Sequence, residues 1–438
     1  MKKLLLILFL IPTALWSIVG LPIVLAKPEF WTYRSAAVIL SGIVTLFWMA
    51  LAVLLATRSS WIEKKLGGLD KVYFLHKWIG IWVGVFSTIH WIAEQGIKKI
   101  GKWGIAELPP RIKAPKAPMS EFWHNMRDWA KDLGEWAFYI MLILILIALF
   151  KKLFSYKVFR LTHLAFPILF LMGAFHGLVL MPDAYWQSPV AWIVAFCCAF
   201  AIVASLWILA GLKGKKKQSQ ASIAQIAKEQ DGTLLLTLNA PHWQGHQAGQ
   251  FLLIHFGDKL EGAHPFTIAS AWDFNNKSIR LGIKPLGDFT KQLAQHIKVG
   301  DSVRLEGPYG DFVFDNNAST HQIWIAGGVG VTPFVARLND LALKNQKMDV
   351  DFFCSQRNRH CAFLNEIQSL CQKTGVRLHL WLSDEKGVIP SDNISQVLKE
   401  NSRVWFCGPF AWGENLLKQF QLKGFSAKNF LRERFEFR

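Results

Sequence analysis

Apolar positions crowd into long runs in the first half of the chain and scatter into short ones in the second. Six runs, near 4–26, 36–56, 78–95, 134–150, 161–181 and 188–212, approach or exceed the roughly 18 residues that cross a bilayer as a helix. The fourth is short as written, and its helix is expected to begin nearer Lys131. The first opens Met-Lys-Lys, as a secretory signal peptide does. It is long, however, and five more runs follow, so we read it as a retained first helix. Beyond a polar, basic stretch at 213–220 the period changes. Short β-rich runs at 233–238, 250–256, 278–284 and 301–305 are broken by Gly, Pro and Asp, the pattern of an antiparallel barrel. From 321 onward, strands at 322–326, 349–355, 377–383 and 403–407 alternate with helical segments, the pattern of a parallel α/β sheet. The expected organisation is a six-helix transmembrane domain over 1–212, a linker over 213–220, a barrel domain over 221–316 and an α/β domain over 317–438.

Composition narrows the class. Of 438 residues, 52% are hydrophobic and 18% charged, against about a quarter charged in soluble domains. That excludes a disordered chain, a collagen-like chain and a small disulfide scaffold. Of the net charge of +18, an excess of 15 lies in residues 1–217 and 3 in 218–438. A nucleic-acid binder would concentrate basic residues on a soluble surface. Here they sit between apolar runs, as in membrane-protein loops, so the expected partner is a lipid bilayer and not a nucleic acid. The segments 1–3, 57–77, 151–160 and 213–217 hold 15 Lys and Arg, against 10 in 27–34, 96–133 and 182–187. This bias puts both the N-terminus and the second half on the cytoplasmic side. Loop 96–133 holds eight of the ten, for contact with headgroups or attraction of an anionic substrate. Six cysteines without a CxxC pair or zinc spacing fit a reduced, cytosolic second half.

Ionisable residues inside membrane spans are costly and usually functional. The third span carries His76 and His90, and the fifth carries His163 and His176. The two spans run in the same direction, so His76 meets His163 and His90 meets His176 in depth. Spacings of 14 and 13 residues correspond to about 21 and 19.5 Å along a helix. Imidazole is a natural axial ligand of haem iron, and two b-type haems stacked through the membrane need about this separation. At 100° per residue, 14 residues bring His90 within about 40° of His76, whereas 13 leave His176 about 140° from His163. Pro167 lies between the latter two, and an interior proline kinks or rewinds a helix. Unrelated polar residues bonded between helices are the alternative.

The second half carries several short motifs. In His264-Pro265-Phe266-Thr267-Ile268-Ala269-Ser270, a Thr hydroxyl and backbone amides can hold a flavin ring edge, with the aromatic nearby; an ordinary turn into a strand fits equally. Lys284 and Gly287-Asp288-Phe289-Thr290 precede an expected helix over 289–296, whose starting amides suit a pyrophosphate. Gly327-Gly328-Val329-Gly330-Val331-Thr332-Pro333-Phe334 follows an apolar strand. Its glycines allow close approach of a dinucleotide, and Pro333 is placed to open a helix. Cys407-Gly408-Pro409 ends a later strand, where a nicotinamide would lie above the carboxyl edge. Ser355 and Arg357, with Arg359 as a substitute, can bind a 2′-phosphate and so favour NADPH; a solvated loop is the alternative.

With both halves read, the chain resembles the ferric reductase and NADPH oxidase superfamily over residues 30–438, and most resembles the short prokaryotic NADPH oxidases. The histidine spacings, His-Pro-Phe-Thr, Gly-Gly-Val-Gly-Val-Thr-Pro-Phe and Cys-Gly-Pro carry the resemblance, in that order. It implies a six-helix all-α bundle with two haem b, then a ferredoxin-reductase-like module with an antiparallel β-barrel FAD domain and an α/β NADPH domain. It also implies a bacterial inner membrane and a terminal aromatic covering the flavin. The tail Glu433-Arg434-Phe435-Glu436-Phe437 points to Phe435, with Phe437 next; a core aromatic is the alternative. Arg34 matches an oxidase arginine beside the outer haem, suited to a propionate or superoxide, or simply to snorkelling toward headgroups. Glu94 stands where well-known oxidases have a second outer histidine. It can deliver protons, meet a ferric complex or mark the membrane edge.

The expected path runs from NADPH to FAD, to the haem of His76 and His163, to that of His90 and His176, and out to an external acceptor. Oxygen, giving superoxide, is the first acceptor expected and a ferric complex the second. A periplasmic or quinone partner is a third, and a membrane-anchored flavin reductase without haem a fourth.

Overall fold

The computed structural model describes residues 2–110, 120–150, 153–154, 156–257, 262–317 and 320–433. They form two units, one of Met1–Ile62 with Val72–Lys213 and one of Glu63–Lys71 with Gly214–Arg438.

Among the described residues, six helices are long and apolar enough to cross a membrane: Lys3–Ala26, Phe30–Ala56, Leu69–Lys102, Glu121–Leu149, Val158–Leu180 and Pro189–Leu209. Two begin nine or more residues before their apolar runs. The third starts at Leu69, and the fourth at Glu121 behind the Ser120 cap, whose hydroxyl accepts from Trp123 N. Asp70, Lys71 and Lys77 in the first extension and Glu121, Arg127, Asp128, Lys131 and Asp132 in the second interrupt the apolar pattern, so an apolar window passes over them. The fifth is two pieces, Tyr156–His163 and Phe166–Leu180. Pro167 has no N–H, and its ring excludes a helical carbonyl four residues back. That carbonyl belongs to His163, where the first piece ends. In the sixth helix the buried residues Ala191, Val194, Cys198, Ala201 and Ser205 recur every three or four positions. Ala191, Val194, Cys198 and Ala201 form one core with Ile43, Leu46, Ala50 and Val53 of the second helix, as close-packed membrane helices require.

The second unit has two sheets. The antiparallel strands are β1 (Gln218–Lys228), β2 (Leu234–Asn239), β3 (Phe251–His255), β4 (His264–Thr267), β5 (Ser278–Ile283) and β6 (Ser302–Tyr309), in the order β4-β3-β6-β1-β2-β5. An Ile268–Leu281 bridge brings the two ends of this order together, closing a barrel. β1 begins at Gln218, inside the stretch read as linker. Its early buried residues are only Ala221 and Ile223, so the strand has no apolar run to betray it. The parallel strands are β7 (Gln322–Gly327), β8 (Val350–Gln356), β9 (Arg377–Leu382), β10 (Arg403–Cys407) and β11 (Phe430–Arg432), in the order β11-β10-β7-β8-β9. Trp324 and Trp405 are fully buried in its core. Each indole N–H is satisfied, by Gln322 Oε1 at 3.1 Å and Val313 O at 3.2 Å, as burial demands. The strand order reverses between β7 and β10, the position where open α/β sheets bind ligands beyond their carboxyl ends.

Candidate functional site

The membrane unit brings the four histidines together in two pairs. Ring centroids of His76 and His163 lie 5.9 Å apart, and those of His90 and His176 lie 6.0 Å apart. Metal–imidazole bonds of about 2 Å on each side leave room for one iron between such rings. The Nδ1 atoms of His76, His90 and His176 donate to Ala52 O, Val38 O and Ala130 O at 3.0, 2.9 and 2.8 Å. A carbonyl partner fixes the tautomer and turns the lone pair of Nε2 outward. His163 differs: its buried Nδ1 has no hydrogen-bond partner among the described residues, and Phe159 and Phe166 flank the ring. No cluster of three or more His, Cys, Asp or Glu that could hold a bare metal ion occurs among the described residues. The donor set instead fits haem, whose porphyrin supplies four ligands and needs two from the protein.

Two glycines missed in the sequence seat the second pair. Gly134 follows Ala130 by one helical turn, and a Cβ there would stand 2.0 Å from His176 Nδ1. Gly42 follows Val38 in the same way, with a Cβ 3.3 Å from His90 Nδ1. In each case the ring enters the groove above the carbonyl it bonds. A glycine inside an apolar membrane run was the available signal.

Arg34 stands one helical turn before Val38, which holds His90, and Glu94 one turn after His90 itself. Arg34 is 6% exposed, and its Nη2 donates to Glu94 Oε2 at 2.5 Å and Glu94 O at 2.9 Å. Its Nε is buried without a hydrogen-bond partner among the described residues. Glu94 sits on the π-helical turn Ile92–Gly96, a distortion frequent at functional sites, and also pairs with Lys98.

In the second unit, His264–Thr267 is β4 itself, paired with β3. The His264 ring stacks on Phe289 with centroids 3.4 Å apart, joining two of the proposed flavin segments. Thr290 Oγ1 accepts from Leu286 N and Gly287 N, both at 3.0 Å, and so caps the helix Asp288–His296. The amides of Asp288 and Phe289 stand at its open end, with Lys284 just beyond β5. Ser270 is engaged structurally: its hydroxyl accepts Arg280 N at 3.0 Å and its carbonyl faces His246 Nε2 at 2.9 Å.

The glycine turn and the Cys-Gly-Pro turn meet at the β7/β10 switch point. A Cβ on Gly330 would stand 2.3 Å from Cys407 O, and one on Gly408 3.2 Å from Gly327 N. Gly328 has φ +58. Only glycine allows these backbones to touch. Val331 and Thr332 are buried, and Pro333 lies in the first turn of the helix Thr332–Leu343. Cys407 is 3% exposed; burial, with Glu433 nearby, pushes its thiol well above the ordinary range, so it stays protonated. Ser355 is the penultimate residue of β8, and Gln356, which ends the strand, donates from Nε2 to Gly328 O at 3.1 Å. Arg357 projects into solvent, with Nε 3.4 Å from Asp384 Oδ1.

Three further residues escaped the sequence reading. Gln356 ties β8 to the glycine turn. Glu63 is buried and accepts Lys217 Nζ at 3.0 Å and Gly310 N at 3.2 Å. Glu433 has both carboxylate oxygens buried without hydrogen-bond partners among the described residues, and burial, with Asp70 nearby, raises its pKa well above normal. Its place in the Glu-x-Phe tail was the signal. Phe435 and Phe437 lie outside the described residues.

Comparison with known proteins agrees with this layout. Residues 41–174 match the ferric reductase like transmembrane component family, and residues 218–331 match an FAD-binding domain. The first match takes in His76, His90 and His163. Together, in this order, the two matches make the chain similar to the ferric reductase and NADPH oxidase superfamily. It is a multi-pass membrane protein with an FAD-binding domain. Flavohemoprotein A of Dictyostelium discoideum is 29% identical over 150 residues, covering 33% of this chain and 38% of that protein. Ferric reduction oxidase 4 of Arabidopsis thaliana is 34% identical over 113 residues, covering 24% and 16%. The chain thus spans well under half the length of these relatives. The solved FAD/NAD binding domain of a Vibrio cholerae nitric oxide dioxygenase is 22% identical, with a TM-score of 0.44 over 50% of this chain and 98% of that one. A likeness of that degree carries nothing about function.

Proposed function

We propose that this protein is an NADPH-dependent oxidoreductase that moves electrons across a bacterial inner membrane, from cytosolic NADPH through FAD and two b-type haems to an external acceptor. The single observation carrying the reading is the pairing of His76 with His163 and His90 with His176 at ring separations near 6 Å. When bound, FAD accepts a hydride as an electron pair and haem carries one electron at a time, which is why both are needed between NADPH and a one-electron acceptor. The residues of the chain bind and orient. Carbonyls of Ala52, Val38 and Ala130 hold three imidazoles in the ligating tautomer. His264, Pro265, Phe266, Thr267, Lys284 and the helix start at Gly287–Thr290 cradle FAD. Gly327–Pro333, Ser355, Arg357 and Cys407–Pro409 take NADPH, and Phe435 covers the flavin. Arg34, buried and holding a spare Nε donor, receives an anion or haem propionate on the external side.

Purified chain in detergent should contain two b-type haems and one FAD, seen in oxidised and dithionite-reduced spectra. Flavin without haem would sink the pairing argument and leave an anchored flavin reductase. Oxygen giving superoxide is the acceptor proposed. A ferric complex is the second reading, favoured by Glu94 paired with Arg34 and Lys98 in place of a second histidine. Superoxide-dependent reduction of a reporter, abolished by added superoxide dismutase, supports the first, and iron reduction insensitive to dismutase the second.

A further inference from the structure

The outward face of β5 carries Ser278, Arg280 and Gly282, because Ile279, Leu281 and Ile283 are buried in the barrel core. That face meets the α/β layer at one joint. Phe363, just before the helix Leu364–Thr374, has φ +68, a conformation that bulky side chains avoid. Its ring fills the space a side chain on Gly282 would need. A Cβ there would stand 2.7 Å from Phe363 Cε2 and 3.2 Å from Thr332 Cγ2.

The Arg280 guanidinium lies 5.7 Å from the Phe363 ring centroid. Its Nη2 donates to Glu366 Oε1 at 2.5 Å, and the same oxygen accepts Asn339 Nδ2 at 3.0 Å. Asn339 is on the helix that follows the glycine turn, and Glu366 is on the next helix. On its other side Arg280 is tied to the residues that follow the flavin motif. Its N–H donates to Ser270 Oγ at 3.0 Å, its carbonyl accepts Ala269 N at 2.8 Å, and Nη2 reaches Ala269 O at 3.4 Å. One arginine therefore links the strand leaving the flavin motif to both helices behind the nucleotide turn. Strain of the kind Phe363 carries persists only where its surroundings hold it, and it clusters at functional sites.

We propose that Arg280, Glu366 and Phe363 are positioning residues for hydride transfer, setting the distance between the His264–Ser270 segment and the Gly327–Thr332 turn. The proposal rests on the reading that NADPH reduces FAD in this module. It assigns these residues no contact with either cofactor; they act through the two segments they clamp. Donor and acceptor geometry is steep, since 1 Å of misplacement can cost a hundredfold in rate.

The test is rapid mixing of NADPH with the full-length, FAD-loaded chain, following flavin absorbance. Arg280→Met and Glu366→Gln are chosen because both side chains are only about two-thirds buried, so the variants should fold. Each should lower the limiting rate at saturating NADPH by about tenfold, with FAD content and the NADPH dissociation constant within about twofold of wild type. The double variant should be no slower than the worse single, because both act through one contact. Gly282→Ala, which pushes on Phe363 without touching the ion pair, should slow the same rate. Unchanged limiting rates, or losses confined to FAD content or NADPH affinity, would overturn the proposal while the wild type is still reduced normally. A wild type reduced by neither NADPH nor NADH would overturn the functional reading first, and this proposal with it.

Discussion

The two units build their candidate sites from opposite materials. In the membrane unit the site is made of side chains: four imidazoles project from two membrane spans, and backbone carbonyls hold three of them from behind. In the second unit it is made largely of backbone: glycine turns after β7 and β10 touch each other, and a helix start offers its amides. Solvent explains the difference. Inside a bilayer the backbone is committed to its own helix, so binding must come from side chains. At the carboxyl edge of a parallel sheet the backbone is free to turn, and it offers N–H groups to phosphates. The membrane site should therefore fail when one side chain is removed, and the second when one is added.

His176→Ala is the strongest test of the first half of that statement. We expect the haem of the His90 pair to be lost, with FAD retained, in a pyridine haemochrome assay. Full haem content in this variant would remove His176 from the ligand set. Gly134→Ala tests where the comparison breaks, because here a membrane site also depends on the lack of a side chain. Its Cβ would overlap His176 Nδ1, and disturbing the support behind a ligand typically costs about 10- to 100-fold in metal affinity. Gly42→Ala, with a Cβ 3.3 Å from His90, should lose far less haem on titration with chelating competitors. Gly330→Ala sharpens the second half. Its Cβ meets the fixed backbone at Cys407, an overpacking that costs about 1–3 kcal/mol, and NADPH affinity measured by flavin quenching should fall with it.

The smallest effect concerns the opposite end of the parallel sheet. Burial raises the Asp351 carboxyl, but hydrogen bonds from Arg377, His379 and His321 outweigh this and hold its pKa below the ordinary aspartate range. A depressed folded pKa means the contribution to stability is complete above the unfolded value of about 3.9 and is lost as pH falls through the folded value. Acid should thus destabilise the wild type more steeply than Asp351→Asn below about pH 4, as read from unfolding midpoints. Parallel acid profiles would show that the cluster contributes nothing.

Much of this was legible in the chain. Long apolar runs and short β runs separate the two halves, and histidines inside spans stand out because charge and polarity are expensive there. What was not legible has a common cause. β1 is polar on its exposed face, and β4 is short and contains Pro265, so neither makes a hydrophobic pattern. Gly134 and Gly282 matter through what lies opposite them, which no local pattern records. Glu433 and Arg280 look like ordinary surface charges until packing puts one beside Cys407 and the other against Phe363.

The break at Pro167 has a consequence for how this chain can change in length. An unbroken helix counts residues by angle, so a ligand spacing of 13 would face its second histidine away from the first, while 14 nearly restores the phase. Pro167 resets the count at His163. The fifth span can therefore carry the odd spacing only while the proline stays. A Pro167→Ala chain should need one inserted residue between Leu164 and Phe175 to bring its histidines back into line, whereas the third span, already at 14, would tolerate neither insertion nor deletion.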